Sequence, residues 1–200
     1  MVFVYGVLLF MVSPFLFSWT PASNELLKIQ YDVIKNGKVI GYMTSSMVEK
    51  DGVIQYTTES NVKVSMLITI RVYNKVQASF WKGFLQDGSL MRKVNSKSRA
   101  DTRIRWNSTA YQVDENGSSS TFGSRISFST ACLMHVEPVN KQYIFSENFL
   151  RFVPVKEVAP HKYELVLPDG HSNFYTYENG RCVEVEVITS FATIYIRPKK

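Results

Sequence analysis

The sequence predicts a mainly β fold: one large curved antiparallel meander sheet or half-open barrel, with one short helix. Three observations lead there. Six of the ten glycines follow Asn or Asp, at Asn36-Gly37, Asp51-Gly52, Asp87-Gly88, Asn116-Gly117, Asp169-Gly170 and Asn179-Gly180. Such pairs accept the positive φ of tight hairpin turns at little steric cost, so the chain reverses repeatedly. Between them, apolar and polar side chains alternate, which puts one strand face in a core and the other in water. Only Ser129 to Val136 (STACLMHV) drops the alternation, in favour of Ala, Leu and Met.

In chain order, residues 1–22 read as a signal peptide and 23–200 as a single antiparallel β domain. Met1 to Phe17 contains no charged side chain. About 16 apolar-rich residues suit the hydrophobic region of a signal peptide better than a membrane span, which needs about 20. Thr20 and Ala22 stand at the spacing a signal peptidase reads, placing cleavage after Ala22. An uncleaved anchor is the competing reading. No Cys lies near that point, so a lipoprotein anchor is not expected. The expected product is exported, periplasmic or secreted, and soluble after cleavage.

Strands are expected over roughly 26–36, 39–50, 53–64, 67–86, 89–98, 102–114, 142–147, 150–158, 162–168, 172–178 and 181–196. From Ile54 the apolar residues take the even positions through Val62, Val64, Ile70, Val72 and Val76 to Phe80. That run is too long for one ordinary strand, so a bend or tight connection falls at Ser65 to Leu67. Around Ile188 the phase slips, which predicts a bulge or sharp bend near Thr189 to Ala192. The non-alternating segment reads as a short helix across an end or mouth of the sheet, capped by Ser129 or Thr130 and stopped by Pro138.

Net charge is +6 at pH 7, and Arg92, Lys93, Lys97, Arg99, Arg103 and Arg105 crowd one stretch opposed only by Asp101. This stretch is the candidate for attracting an anionic surface. A solvated face that keeps the sheet soluble is the competing reading. Nucleic acid is not an expected partner of an exported chain. Cys132 and Cys182 sit among apolar neighbours, where free Cys behaves as a small hydrophobe, although export would also permit a bridge.

No catalytic constellation emerges, and neither an enzyme nor a cofactor is expected. His135, His161 and His171 are the histidines, none at metal-ligand spacing from another His or Cys. Cys132 and His135 are three residues apart, but a reactive thiol needs exposure and a lowered pKa, and this segment reads as buried. Glu137 and Glu147 show no paired arrangement that would separate two carboxyl pKa values. Aromatic residues (13 Phe, 11 Tyr and 3 Trp) are numerous, and they can line a ligand cavity or fill a core. The candidate inner face for a ligand is Ile68, Ile70, Val72 and Phe80.

The run Met134-His135-Val136-Glu137-Pro138, then Ile144-Phe145-Ser146-Glu147, Phe152-Val153-Pro154-Val155, Tyr163 through Gly170 and Tyr175 through Gly180 resembles an uncharacterised family of exported bacterial proteins. Tyr31-Asp32-Val33-Ile34 with Gly41 resembles its start. The family is similar in layout to half-open β-barrel envelope domains of the lipoprotein-carrier kind, with a helix near the mouth. It has plain apolar residues where this chain has Cys132 and Cys182, which favours buried thiols. The resemblance implies a fold and a compartment but no activity. The expected function is non-enzymatic binding of a hydrophobic or amphiphilic ligand by a monomer, with a lipid or an envelope protein as partner. A protein-interaction or assembly module using a sheet face or edge is the alternative.

Overall fold

The computed structural model describes residues 25–65, 69–189 and 192–200. The segment read as a signal peptide, residues 1–22, lies outside them, as does Ile68. Fourteen strands form one antiparallel sheet. Strand β1 (Glu25–Lys35) lies in its middle. From there the chain meanders outward through β2 (Lys38–Lys50), β3 (Val53–Ser65), β4 (Thr69–Trp81), β5 (Phe84–Val94), β6 (Lys97–Trp106), β7 (Tyr111–Glu115) and β8 (Ser118–Phe122). It then crosses to the far edge and returns inward through β9 (Tyr143–Ser146), β10 (Arg151–Ala159), β11 (Lys162–Val166), β12 (Ser172–Glu178) and β13 (Arg181–Ile188) to β14 (Thr193–Pro198), which pairs with β1.

The two edges, β8 and β9, meet through side chains rather than ladder hydrogen bonds. Phe122 on β8 lies 5.6 Å from Phe145 on β9 and 5.9 Å from Phe152 on β10, ring centre to ring centre. The crossover fills the seam. The Leu85 N–H donates to the Ile126 carbonyl at 2.8 Å, and the Phe145 N–H to the Phe128 carbonyl at 3.1 Å. The result is a barrel-like sheet that curls on itself without closing.

Five of the six Asn/Asp-Gly pairs sit at reversals as expected, and the sixth does not. Asp87-Gly88 lies within β5, where a register shift lets Ser79 face Asp87 and Phe80 face Leu85. The reversal comes earlier, at Lys82-Gly83, with φ of +49° and +77°. Asn95-Ser96 makes the next one, with φ of +48° and +66°. These turns use positive φ without an Asx-Gly signature, so the expected strands over 67–86, 89–98 and 102–114 are displaced. The alternation from Ile54 to Phe80 spans a hairpin, in keeping with the tight connection expected at Ser65 to Leu67. Ser65 pairs with Thr69, and partners of equal parity keep even-numbered side chains on one face of both strands. The slip near Ile188 is likewise a reversal, since Ile188 pairs with Thr193. Strand β8 was not expected: Ser118 to Thr121 are exposed on both faces and carry no alternation.

The expected helix at Ser129 to Val136 is one 3-10 turn, Thr130–Cys132, followed by further turns. Ala131, Cys132, Leu133 and Met134 are all buried. A segment buried on every side has no polar face to turn outward, and its polar groups are held by side chains instead. The Tyr177 hydroxyl donates to the Leu133 carbonyl at 2.8 Å. Residues 129–136 thus form a plug inside the curl.

Candidate binding site inside the sheet

Registers divide the interior into two ends. The β4–β5 and β2–β3 reversals mark one end, where the plug, Leu85, Ile104, Tyr111, Ile126 and Phe145 pack with almost no exposure. The β1–β2, β3–β4, β5–β6 and β13–β14 reversals mark the other, and there the interior is hollow. Two connected hollows of about 310 and 330 Å³ share Asn74, Val76, Thr130, Asn173, Tyr175 and Val187 as walls. Val33, Met43, Ile194 and Ile196 extend the apolar wall on one side, Leu90, Leu165 and Phe149 on the other. The plug supplies the floor through Thr130, Ala131 and Met134.

The shape follows from the sequence of the inner face. Where that face carries Tyr56, Phe80, Tyr111 and Phe145, the rings reach the plug and fill the space; Tyr56 meets Phe80 edge-on at 5.9 Å. Toward the open end it carries Thr58, Ser60, Val62, Asn74 and Val76, which are too short to meet across the curl. Gly41 permits a close approach of β2 to β3 beside this region: a Cβ there would lie 2.3 Å from the Asn61 carbonyl oxygen.

The plug is fixed by buried polar groups. His135 Nε2 and Ser45 Oγ are hydrogen-bonded at 2.9 Å, and Ser45 Oγ and Thr58 Oγ1 at 2.9 Å. Burial, helped by the Arg181 charge, pushes the His135 pKa down to about 4, so the ring is neutral at pH 7. The Thr130 hydroxyl donates to the fully buried Glu147 carboxyl. Desolvation raises the Glu147 pKa more than its hydrogen bonds lower it. At the plug's exit the Tyr163 hydroxyl donates to Glu137 Oε1 at 2.9 Å, and His161 Nδ1 lies 2.9 Å from the same oxygen.

Polar groups gather at the mouth. Arg92 lines the hollow directly across the β4–β5 ladder from Asn74. Among the described residues its guanidinium has no acidic partner, and burial lowers its pKa. The Oδ1 atoms of Asn74 and Asn173 are buried without a hydrogen-bond partner. Asp169 also lines the hollow and is engaged by His171, at 3.2 Å to Nδ1 and 3.1 Å to the backbone N–H.

The basic stretch is divided by the pleat. Arg92 faces inward, whereas Lys93, Lys97, Arg99, Arg103 and Arg105 are exposed. Arg105 pairs with Asp87 at 2.8 Å on the outer face. Of the candidate inner-face residues, Ile70 and Val72 are half-buried on β4, on the mouth side of Asn74, and Phe80 belongs to the packed end. Of the polar residues lining the hollow, Asn74 and Asn173 were missed, and Arg92 was read as part of a surface stretch rather than of the interior. Their signal was present: each is a polar residue at an inward position of a strand.

A larger concavity of about 640 Å³ follows the outer face from β3 to β8. Gln55, Gln77, Ser89, Arg103, Gln112 and Asp114 line it on the solvent side of the sheet, away from the plug. Cys132 and Cys182 are separate, buried thiols, each with its pKa pushed up to about 12 chiefly by burial. His135 bonds Ser45, and its Nδ1 is unpartnered, so no Cys132–His135 pair forms. Among the described residues no group of three His, Cys, Asp or Glu side chains could hold a metal, and no helix is long and apolar enough to cross a membrane.

These features define an open, barrel-like antiparallel β domain with a half-filled interior. The chain belongs to the family described as domain of unknown function DUF6134, whose model matches residues 31–199. The resemblance to an uncharacterised β family is thereby met. No curated protein matches the sequence. Among solved structures, the chain is similar to a beta-barrel-like protein of domain of unknown function DUF1849 from Brucella abortus. The TM-score is 0.52 at 10% identity, covering 86% of this chain and 95% of that one. At that identity the likeness is one of fold.

Proposed function

We propose that this protein is a non-enzymatic binding domain that holds a hydrophobic or amphiphilic molecule inside its curved sheet, in the exported compartment its charge-free N-terminal segment suggests. One observation carries the reading: an apolar-walled hollow at one end of an interior whose other end is tightly filled. Protein interiors pack to about three-quarters of their volume, so a hollow of this size departs from ordinary core. Its volume lies at the lower end of the range of small-molecule sites, about 300–1,000 Å³, and the mainly aliphatic wall of the 310 Å³ hollow, with polar groups gathered in its neighbour, suits an amphiphile.

The test is thermal unfolding with and without a long-chain fatty acid. A ligand that binds only the folded state at a hundredfold excess over its Kd adds about 2.7 kcal/mol, a shift of several degrees for a chain of this size. Native mass spectrometry of protein purified from its own cell envelope should show a retained amphiphile. No shift with any lipid, together with an empty mass spectrum, rejects the reading. The assembly alternative would then lead, through the exposed outer edge of β8, where Ser118 to Thr121 are open to solvent. N-terminal sequencing of the exported chain should begin at Ser23; a chain beginning at Met1 rejects cleavage.

A further inference from the structure

We infer that the hollow selects a single-chain amphiphile with an anionic oxygen head group, held by Arg92 at the mouth with its chain directed toward the plug. This rests on the binding function proposed above and specifies the ligand class. Three observations carry it.

The first is the charge inside the mouth. Arg92 is a partly buried guanidinium on the inner face, and no carboxylate pairs with it among the described residues. Charged groups removed from water are normally paired, and a guanidinium offers a planar fork matched to a carboxylate or phosphate. Asp169, the acidic side chain in the same wall, is engaged by His171. Arg92 is therefore the charged side chain of this wall that has no ion-pair partner among the described residues.

The second is the pair of amides beside it. Asn74 is the direct cross-strand neighbour of Arg92, and Asn173 lies in the facing wall. Each has a buried Oδ1 with no partner. A head group with a hydroxyl beside its anionic oxygen would satisfy both kinds of group, since buried acceptors are rarely left unmet.

The third is the rim. The register places Lys35, Lys38, Lys63, Arg71, Lys93 and Lys97 at the ends of β1 to β6 that surround the mouth, for Lys35 pairs with Lys38, Lys63 with Arg71, and Val94 with Lys97. These six cations raise the local concentration of anions on that side of the mouth and steer them inward. Below it the walls turn aliphatic through Val76, Val187 and Ile194. Cation above and apolar wall below is the complement of an anionic amphiphile.

Calorimetric titration below the micelle concentration tests this with the full domain and named probes: dodecyl phosphate and dodecanoate as anionic amphiphiles, monododecanoyl glycerol as a neutral one, and inorganic phosphate as an anion without a chain. The expected result is at least tenfold tighter binding of one or both anionic amphiphiles than of the neutral one. Which anion binds more tightly identifies the source, a phosphate ester or a fatty acid. R92Q should remove the preference and R92K should retain most of it, which separates loss of charge from loss of fold. Equal binding of charged and neutral probes, unaltered by R92Q, overturns the anionic head group and leaves the amphiphile reading standing. Inorganic phosphate binding as tightly as dodecyl phosphate overturns it in favour of a bare anion site. No binding by any probe overturns both this inference and the function it rests on.

Discussion

The two ends of the curl are built by the same strands and differ in what those strands point inward. At the packed end, Tyr56, Phe80, Tyr111 and Phe145 close on the plug, and the largest side chains are almost wholly buried. At the open end the same ladders present Thr58, Ser60, Val62, Asn74 and Val76, and a hollow remains. Curvature and topology are common to both, so side-chain length alone separates a core from a site. A sheet can thus provide its own stability at one end and keep room for a ligand at the other.

The largest effect should come from truncating the packed end. F145A removes a ring that meets Phe122 across the β8–β9 seam and Phe152 on neighbouring β10, and should cost about 3–5 kcal/mol in chemical denaturation. V187A, on the wall of the hollow, should cost about 1 kcal/mol, because its methyl groups are only half-buried. Equal costs would erase the distinction between the ends. G41A comes next, at about 3 kcal/mol, because the added Cβ meets backbone at Asn61 and Val62 rather than a movable side chain.

The boundary between the ends carries a pH dependence. His135 titrates near 4 when folded and near 6.5 when unfolded, so between those values the unfolded chain binds more protons. Stability should therefore fall, on the order of 2 kcal/mol, as pH drops from about 6.5 to 4, and H135Q should flatten that limb. Glu147 acts with the opposite sign. Its folded pKa is raised, so the stability tied to its protonated form is present below its unfolded value and lost as pH rises through the folded one. E147Q should therefore stabilise more at pH 8 than at pH 4. Urea unfolding across that range separates the two.

The smallest effect on stability is the most telling. V187F in a tight core would cost about 1–3 kcal/mol by overpacking. In the hollow it should cost less than about 1 kcal/mol while abolishing any lipid-induced rise in Tm.

Much of the sheet was legible because hairpin chemistry and period-two patterning are local. Asn36-Gly37, Asp51-Gly52 and Asn179-Gly180 announced their reversals, and the alternation from Ile54 correctly gave the inner face. What failed was also local in cause. Lys82-Gly83 and Asn95-Ser96 turn the chain without the expected residues, and Asp87-Gly88 was absorbed into a bulged strand. Exposed β8 had no inside to mark. The site was less legible because it depends on which inward residues meet across the curl. Asn74 and Asn173 are far apart in sequence and come to line the same hollow only through the β1–β14 pairing that joins the two arms of the meander. Arg92 stood out as charge, but only register shows that it points inward while Arg103 and Arg105 point out.

The central claim is that the open end binds and the packed end supports. Its most direct test is a titration of the isotope-labelled domain with dodecanoate, followed by backbone and side-chain NMR shifts. The account predicts saturable changes concentrated at Asn74, Arg92, Asn173 and Val187, with Tyr111 and Ile104 unmoved. Changes centred on the packed end or on the outer face around Gln77 and Arg103, or no change at saturating dodecanoate, would contradict it.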